Sequence, residues 1–313
     1  MERENESALN EALKPYCDDC RRQLTIPEDA YKQYDIKRGL RNADGTGVLA
    51  GVTRICNVHG YKLEDSQRRP TEGRLFYRGI DIRDIIEGCT AEDRFGFEEV
   101  VWLLLFGYLP TAEQLSGFTR LLEQHRELPE GFIEDMIIKA PSPNIMNKLA
   151  RSVLALYSYD ELAEDMSLEN IVRQSIELIA RVSTIMVNAY QVKKRYYDHE
   201  SLFFHSPIDG MSFSENILST LRFDRQFTRE EAKLLDICLI LHAEHGGGNN
   251  STFACRVLSS SGTDTYAAIS AAIGGLKGPR HGGANIKVMQ MLEGMKTAIR
   301  DSGDDEEITA YLK

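Results

Sequence analysis

The chain has 313 residues, enough for one large domain or two ordinary ones with ample core. Its 37 Lys and Arg against 48 Asp and Glu leave a net charge of −11, which argues against nonspecific nucleic-acid binding, because neutralising phosphates takes a basic face. The longest uncharged apolar run, residues 100–110, is too short to cross a bilayer. Six cysteines (Cys17, Cys20, Cys56, Cys89, Cys238, Cys255) follow no disulfide framework. With no signal-peptide pattern, the expectation is a reduced, cytoplasmic protein.

In chain order, residues 1–36 are polar, with Leu9, Leu13, Tyr16 and Cys20 at helical spacing, and read as an amphipathic extension. Turn residues dominate 38–73, with short strands expected at 48–52 and 54–59. Helical patterns then follow one another: 97–106, 112–128, 144–156, 168–195, 212–221 and 228–245. Pro110-Thr111 with Gln114 forms a capping box at the start of the second. No segment alternates with period two for long and no repeat of 20–50 residues occurs, so the fold class expected is all-α, with short strands near 48–59.

Two histidine elements carry the chemistry. LHAEHGGGNNSTF (241–253) closes an apolar run from Leu234 to His242 that only Asp236 interrupts. The glycines Gly246–Gly248 should stop that helix, and Asn249 to Thr252 are good N-caps for the next. GPRHGGAN (278–285) follows a small-residue helix at 266–276, and His281 is expected to open a helix at 282–295. On that reading His242 and His245 lie in a last helical turn, which favours the imidazolium. His281 lies in a first turn, which favours the neutral ring. Imidazoles with separated protonation preferences suit carbonyl acid/base chemistry. Glycines beside both histidines suggest that a ligand approaches bare backbone.

The local charge agrees. No Asp or Glu occurs from Thr265 to Leu292, while Lys277, Arg280 and Lys287 surround His281, as a site for anionic substrates requires. Cys17 and Cys20 have CxxC spacing with no second pair, His242-x-x-His245 lacks the HExxH offset, and no metal site is expected. The glycine runs follow helices rather than strands and fit no dinucleotide or phosphate loop.

At these residues the chain resembles the citrate synthases. HAEHGGGNNSTF is similar to the family's H-x-x-H-x-x-x-N-x-S-T element and GPRHGGAN to its G-P-x-H-G-x-A-N element. His245 and His281 stand 36 residues apart, as in the family. GRLFYRGIDIRDI (73–85), FEEVVWLLLFGYLPTAEQL (97–115) and RGLRNADGTGVLAGVT (38–53) look like its earlier segments, so the likeness runs from about Lys37 to Met295.

The resemblance implies a transferase that joins acetyl-CoA and oxaloacetate to give citrate and CoA, with acetyl-CoA as substrate and no separate cofactor. It implies that His281 hydrogen-bonds the acetyl thioester oxygen, that His245 and Asn249 contact oxaloacetate and that Ser251 orients His281. Arg280 would add charge for the anionic substrates. It also implies a homodimer through the helix from Thr265 to Leu276, which is rich in Ala, Ser and Gly. Three segments are expected: an extension at 1–36, a large helical domain at 37–300 and an acidic tail at 301–313. The family's G-H-x-x-Y and D-P-R motifs, which bring a second catalytic histidine, the aspartate base and the oxaloacetate-clamping arginines, do not occur in these 313 residues. The chain alone is therefore expected to be a truncated, inactive form. Two other readings stay open: the same chemistry on propionyl-CoA, as in 2-methylcitrate synthases, and a non-catalytic scaffold that dimerises.

Overall fold

The structure, a computed structural model, describes residues 40, 42, 47–48, 53–64, 67–278, 281–282 and 284–312. The N-terminal amphipathic helix, Cys17 and Cys20, most of the expected strand at 48–52, and Arg280 lie outside the described residues. Contacts divide the chain into two units at residues 50 and 51. In the first, Val48 N donates to Leu40 O at 3.0 Å and Asn42 Nδ2 to Gly47 O at 3.2 Å.

The second unit opens with a three-stranded antiparallel sheet, β1 (Cys56–Glu64), β2 (Gln67–Tyr77) and β3 (Ile80–Asp81), in that order. Cys56 pairs with Tyr77, and the register shifts between His59 and Tyr61, where Gly60 intervenes. Arg78 (φ 50°) and Gly79 (φ 90°) make the tight turn into β3, the positive-φ pair that matches strand twist. Arg78 holds its strained position by donating to Leu104 O through Nε (3.1 Å) and Nη2 (2.6 Å). The sequence anticipated a strand near 54–59 but neither the length of β1 nor β2. Apart from Cys56 and Tyr77 this ribbon is largely exposed, so no buried face imposes period-two alternation.

Helices make up the rest, and the fold is all-α with this one small sheet among the described residues. They are α1 (Ile82–Ala91), α2 (Phe97–Phe106), α3 (Ala112–Gln124), a π-helical turn (Ile133–Ile138), α4 (Ile145–Ala155) and a 3₁₀ turn (Leu156–Tyr159). There follow α5 (Leu168–Tyr197), α6 (Phe213–Leu221), α7 (Arg229–His242), α8 (Asn250–Ser259), α9 (Thr265–Lys277), α10 (Ala284–Ala298) and α11 (Asp305–Leu312). The Thr111–Gln114 capping box is present with both of its hydrogen bonds, and Ser212–Glu215 and Thr228–Glu231 add two more.

Two caps come from distant helices. The Asp236 carboxylate on α7 accepts from Gly96 N at 2.7 Å and Phe97 N at 3.4 Å and so caps α2, whose own N-cap glycine has no side chain to offer. Glu98 on α2 in turn accepts from Phe213 N at 2.7 Å, at the start of α6. Asp236, the single interruption of the apolar run, is thus buried because it ends one helix's unpaired amides.

The largest core joins the π turn, α4, α5 and α9 through Phe132, Ile137, Leu149, Val153, Ile185 and Tyr266. A second core joins the sheet, α1, α2 and α7 through Cys56, Tyr77, Ile82, Val100, Leu103 and Ile240. Each fully buried large apolar side chain contributes about 1.5–3 kcal/mol. This second core lies directly under the His245 loop.

Candidate functional site

Helix α7 ends at His242, three residues before His245, so His245 is not in a last helical turn as its sequence suggested. The cause is Tyr77, which is fully buried. Its hydroxyl takes the helix-end carbonyl of Ile240 at 2.8 Å and reaches Glu244 O at 3.0 Å, so the chain leaves the helix with these groups satisfied. Burial pushes the Tyr77 phenol up to about 12. His242 turns its Nδ1 back to Cys238 O at 2.7 Å; the carbonyl can only accept, so Nδ1 carries the proton and Nε2 is the free nitrogen. His245 is exposed, and its amide donates to Glu244 Oε1 at 3.0 Å.

The glycines then do separate jobs. Gly246 adopts φ 109°, open only to glycine at low cost, and a side chain on Gly247 would meet Thr53. Asn249 is the N-cap of α8, as expected: Oδ1 accepts from Thr252 N at 2.8 Å, while Nδ2 donates to Gly246 O at 2.6 Å and Thr252 Oγ1 at 2.8 Å. Both amide protons are used inside the loop, so what Asn249 can still offer a ligand is the second lone pair of Oδ1.

His281 sits in a turn between α9 and α10. Its amide donates to Gly278 O at 3.0 Å, and α10 begins only at Ala284, so the expected place in a first helical turn is also corrected. The reason is the tight return of the chain onto α9. Gly282 N donates to Leu276 O at 2.8 Å, and a Cβ on Gly282 would lie 2.5 Å from that oxygen. Here the fold itself requires bare backbone at Gly282.

The two loops meet through a hairpin of helices. Asn250 Nδ2 donates to Gly275 O at 3.4 Å, and the Ser251 Cα lies 3.6 Å from where a Gly275 Cβ would be. The start of α8 therefore lies against the end of α9, the pair is antiparallel, and the connections carrying His245 and His281 leave from the same end. Asn249 and half-buried Ser251 stand at that end too. A cavity of about 500 Å³ adjoins the His281 turn, lined by Asn144, Gly274, Lys277, Gly278, Lys287 and Gln290 among others. Two of the three cations noted in the acid-free stretch thus share one wall. A separate apolar cavity of about 430 Å³ among α2, α5, α6, α7 and α9 has no ionisable residue in its lining. Among the described residues no group of three His, Cys, Asp or Glu is placed to hold a metal ion.

Sequence reasoning missed Tyr77, Glu244 and Asn144. Tyr77 stands in the FYRGID segment, but nothing in its local pattern says that it reaches α7.

Comparison with known proteins settles the lineage. The family model described as citrate synthase, C-terminal domain, matches residues 41–313. The chain belongs to the citrate synthase family. It is 32% identical over 264 residues to a citrate synthase of Haloferax volcanii, covering 83% of this chain and 62% of that one. It is 33% identical over 264 residues to 2-methylcitrate synthase 1 of Corynebacterium glutamicum, covering 82% and 61%. Among solved structures, the citrate synthase of Pyrobaculum aerophilum superposes with a TM-score of 0.66 at 29% identity, over 86% of this chain and 67% of that one. A citrate synthase from Thermoplasma acidophilum, solved as a ternary complex with carboxymethyl coenzyme A and oxaloacetate, matches with a TM-score of 0.66 at 24% identity. It covers 85% and 61% and supports the citrate synthase fold alone. The chain spans about three fifths of the length of the curated relatives it matches.

Proposed function

We propose that this chain carries the acetyl-polarising and part of the oxaloacetate-binding machinery of a citrate synthase-type acyltransferase. The observation that carries the reading is the gathering of His245, Asn249, Ser251 and the His281 turn at one end of the α8–α9 hairpin. In the reaction a base removes a proton from the acetyl methyl of acetyl-CoA. His281 donates a hydrogen bond to the thioester oxygen as negative charge builds there, and Ser251 orients its ring. The enol carbon attacks the ketone carbon of oxaloacetate, which His245 and Arg280 hold, joined by Asn249 once an amide proton is released from Gly246 O or Thr252 Oγ1, and hydrolysis of the citryl thioester releases CoA. A positioned donor to such an oxygen contributes roughly a hundredfold or more in rate.

These 313 residues contain no G-H-x-x-Y or D-P-R segment, and the proton acceptor has no assigned residue here. With acetyl-CoA and oxaloacetate supplied, the purified polypeptide should release no free CoA above background, and turnover would refute this. Oxaloacetate should still shift the His245 ring resonance in an NMR titration, and His245→Ala should abolish binding. A titration that leaves His245 unmoved, or a variant that binds as well as wild type, removes the reading.

A second reading, propionyl-CoA as the acyl donor, is supported by the relative named 2-methylcitrate synthase. One methylene discriminates by only about 1–3 kcal/mol in an apolar pocket. The large helical domain at 37–300, dimerisation through α9 and a cytoplasmic location belong to the same proposal. Cys56, Cys89, Cys238 and Cys255 are all free thiols, which favours a reducing compartment.

A further inference from the structure

Tyr77 is built into the loop that carries His245 more deeply than a core tyrosine requires. Its ring lies in the core of Ile82, Ile85, Val100, Leu103 and Ile240. Its hydroxyl lies 2.8 Å from Ile240 O, 3.0 Å from Glu244 O and 3.5 Å from Leu241 O, and it accepts from Glu244 N at 3.2 Å. One phenol proton serves one carbonyl at a time, so the oxygen is shared between the end of α7 and the first turn of the loop. A buried tyrosine needs a single partner for its hydroxyl. Here an amide is directed at it as well.

Glu244 passes the constraint onward. Its Oε1 accepts from His245 N at 3.0 Å and Gly246 N at 2.6 Å. The strand paired with that of Tyr77 also reaches the loop, where Val58 Cγ2 lies 3.8 Å from the Cβ position of Gly246. Hairpin, Glu244 and the two amides therefore form one connected unit directly beneath His245. Beyond it run Gly246, Gly247 and Gly248, with more backbone freedom than any other tripeptide. A histidine placed just before three glycines keeps one position only if the residues on its other side are fixed.

We infer that Tyr77 is a positioning residue for His245, its hydroxyl locking Glu244 and so the backbone from which the imidazole projects. Only the consequence for oxaloacetate rests on the citrate synthase-type reading. Tyr77→Phe keeps the ring and removes the lock. In the 313-residue chain, amide exchange at Glu244, His245 and Gly246 should become about tenfold faster or more, with α5 amides around Ile185 unchanged. The His245 ring resonance should move, and oxaloacetate should bind about tenfold more weakly. Loop amides that change no more than α5 amides would make Tyr77 a core residue only and overturn the inference. A global loss of stability is handled in wild type. The Tyr77 hydroxyl proton should exchange slowly and show a cross-peak to the Glu244 amide, and a fast-exchanging hydroxyl overturns the inference without any variant. Wild type that takes up no oxaloacetate would sink the functional reading, while the exchange result would still decide the lock.

Discussion

Gly282 shows how little room the His281 turn has. Its amide is bonded to Leu276 O, and the same oxygen would lie 2.5 Å from an added Cβ. A backbone carbonyl at a helix end cannot swing aside as a flexible side chain can. Gly282→Ala should therefore lower stability by about 1–3 kcal/mol and shift the His281 ring resonance. Gly248 is the control, since nothing lies within 4 Å of its Cβ position. Urea unfolding of the two alanine variants separates the cases, and equal midpoints would mean that close approach at Gly282 is not what holds the turn. Reading both glycine clusters as ligand-facing backbone was half the story: the sequence shows that a side chain is excluded, but not what excludes it.

At the scale of elements, helices were legible wherever caps and a 3.6-residue period coincide. The Thr111–Gln114 box starts α3 where expected, and Asn249 starts α8. What was not legible depends on contacts far along the chain. The early end of α7 is decided by Tyr77, 163 residues away from Ile240 in sequence, and α2 takes its cap from Asp236. The candidate site residues rest on their motifs, and the protonation argument drawn from helix ends keeps its premise at His242, the last residue of α7, but loses it at His245 and His281, which stand just outside those helices. The small residues of α9 have a use within the chain: Ser270 Oγ donates to Ala150 O at 2.9 Å, and Tyr266 and Ala268 are buried. If α9 also meets a second copy, the contact must use its exposed side, where Gly274 has open space and Leu276 is 42% exposed. Gly274→Glu should leave the monomer folded and place like charges across a twofold axis. Light scattering behind a sizing column should then show wild-type dimers and mutant monomers. Wild-type monomers at micromolar concentration would end the proposal.

For the whole molecule, acid sensitivity follows from Asp160, which ties the loop before α5 to α9. Burial alone would raise its carboxyl. Hydrogen bonds from Gln174 (2.9 Å), Arg173 (2.8 Å) and Tyr266 (2.8 Å) outweigh burial and bring it to about 2, against 3.8 unperturbed. A depressed folded value stabilises the fold fully above about pH 4, and that stabilisation, on the order of 2 kcal/mol, is lost between about pH 4 and pH 2. Buried Glu98 and Asp236 act in the opposite sense, because burial raises both and the fold gains as they protonate. Urea midpoints should therefore hold or rise on mild acidification and fall below about pH 4, and Asp160→Asn should flatten that fall. Parallel losses in wild type and variant would place the acid limb elsewhere. The antiparallel α8–α9 pair has a different consequence at this scale. Much of the 36-residue interval from His245 to His281 runs out along one helix and back along the other, so the interval is long in sequence and short in reach. Residues inserted in the far bend at 260–263, ahead of the Asp264 cap of α9, should leave both histidines in place. One residue inserted inside α8 or α9 would instead turn everything beyond it by about 100° and advance it by about 1.5 Å. The length of that interval is thus set by the two helices and their caps, and the bend between them is where it should tolerate change.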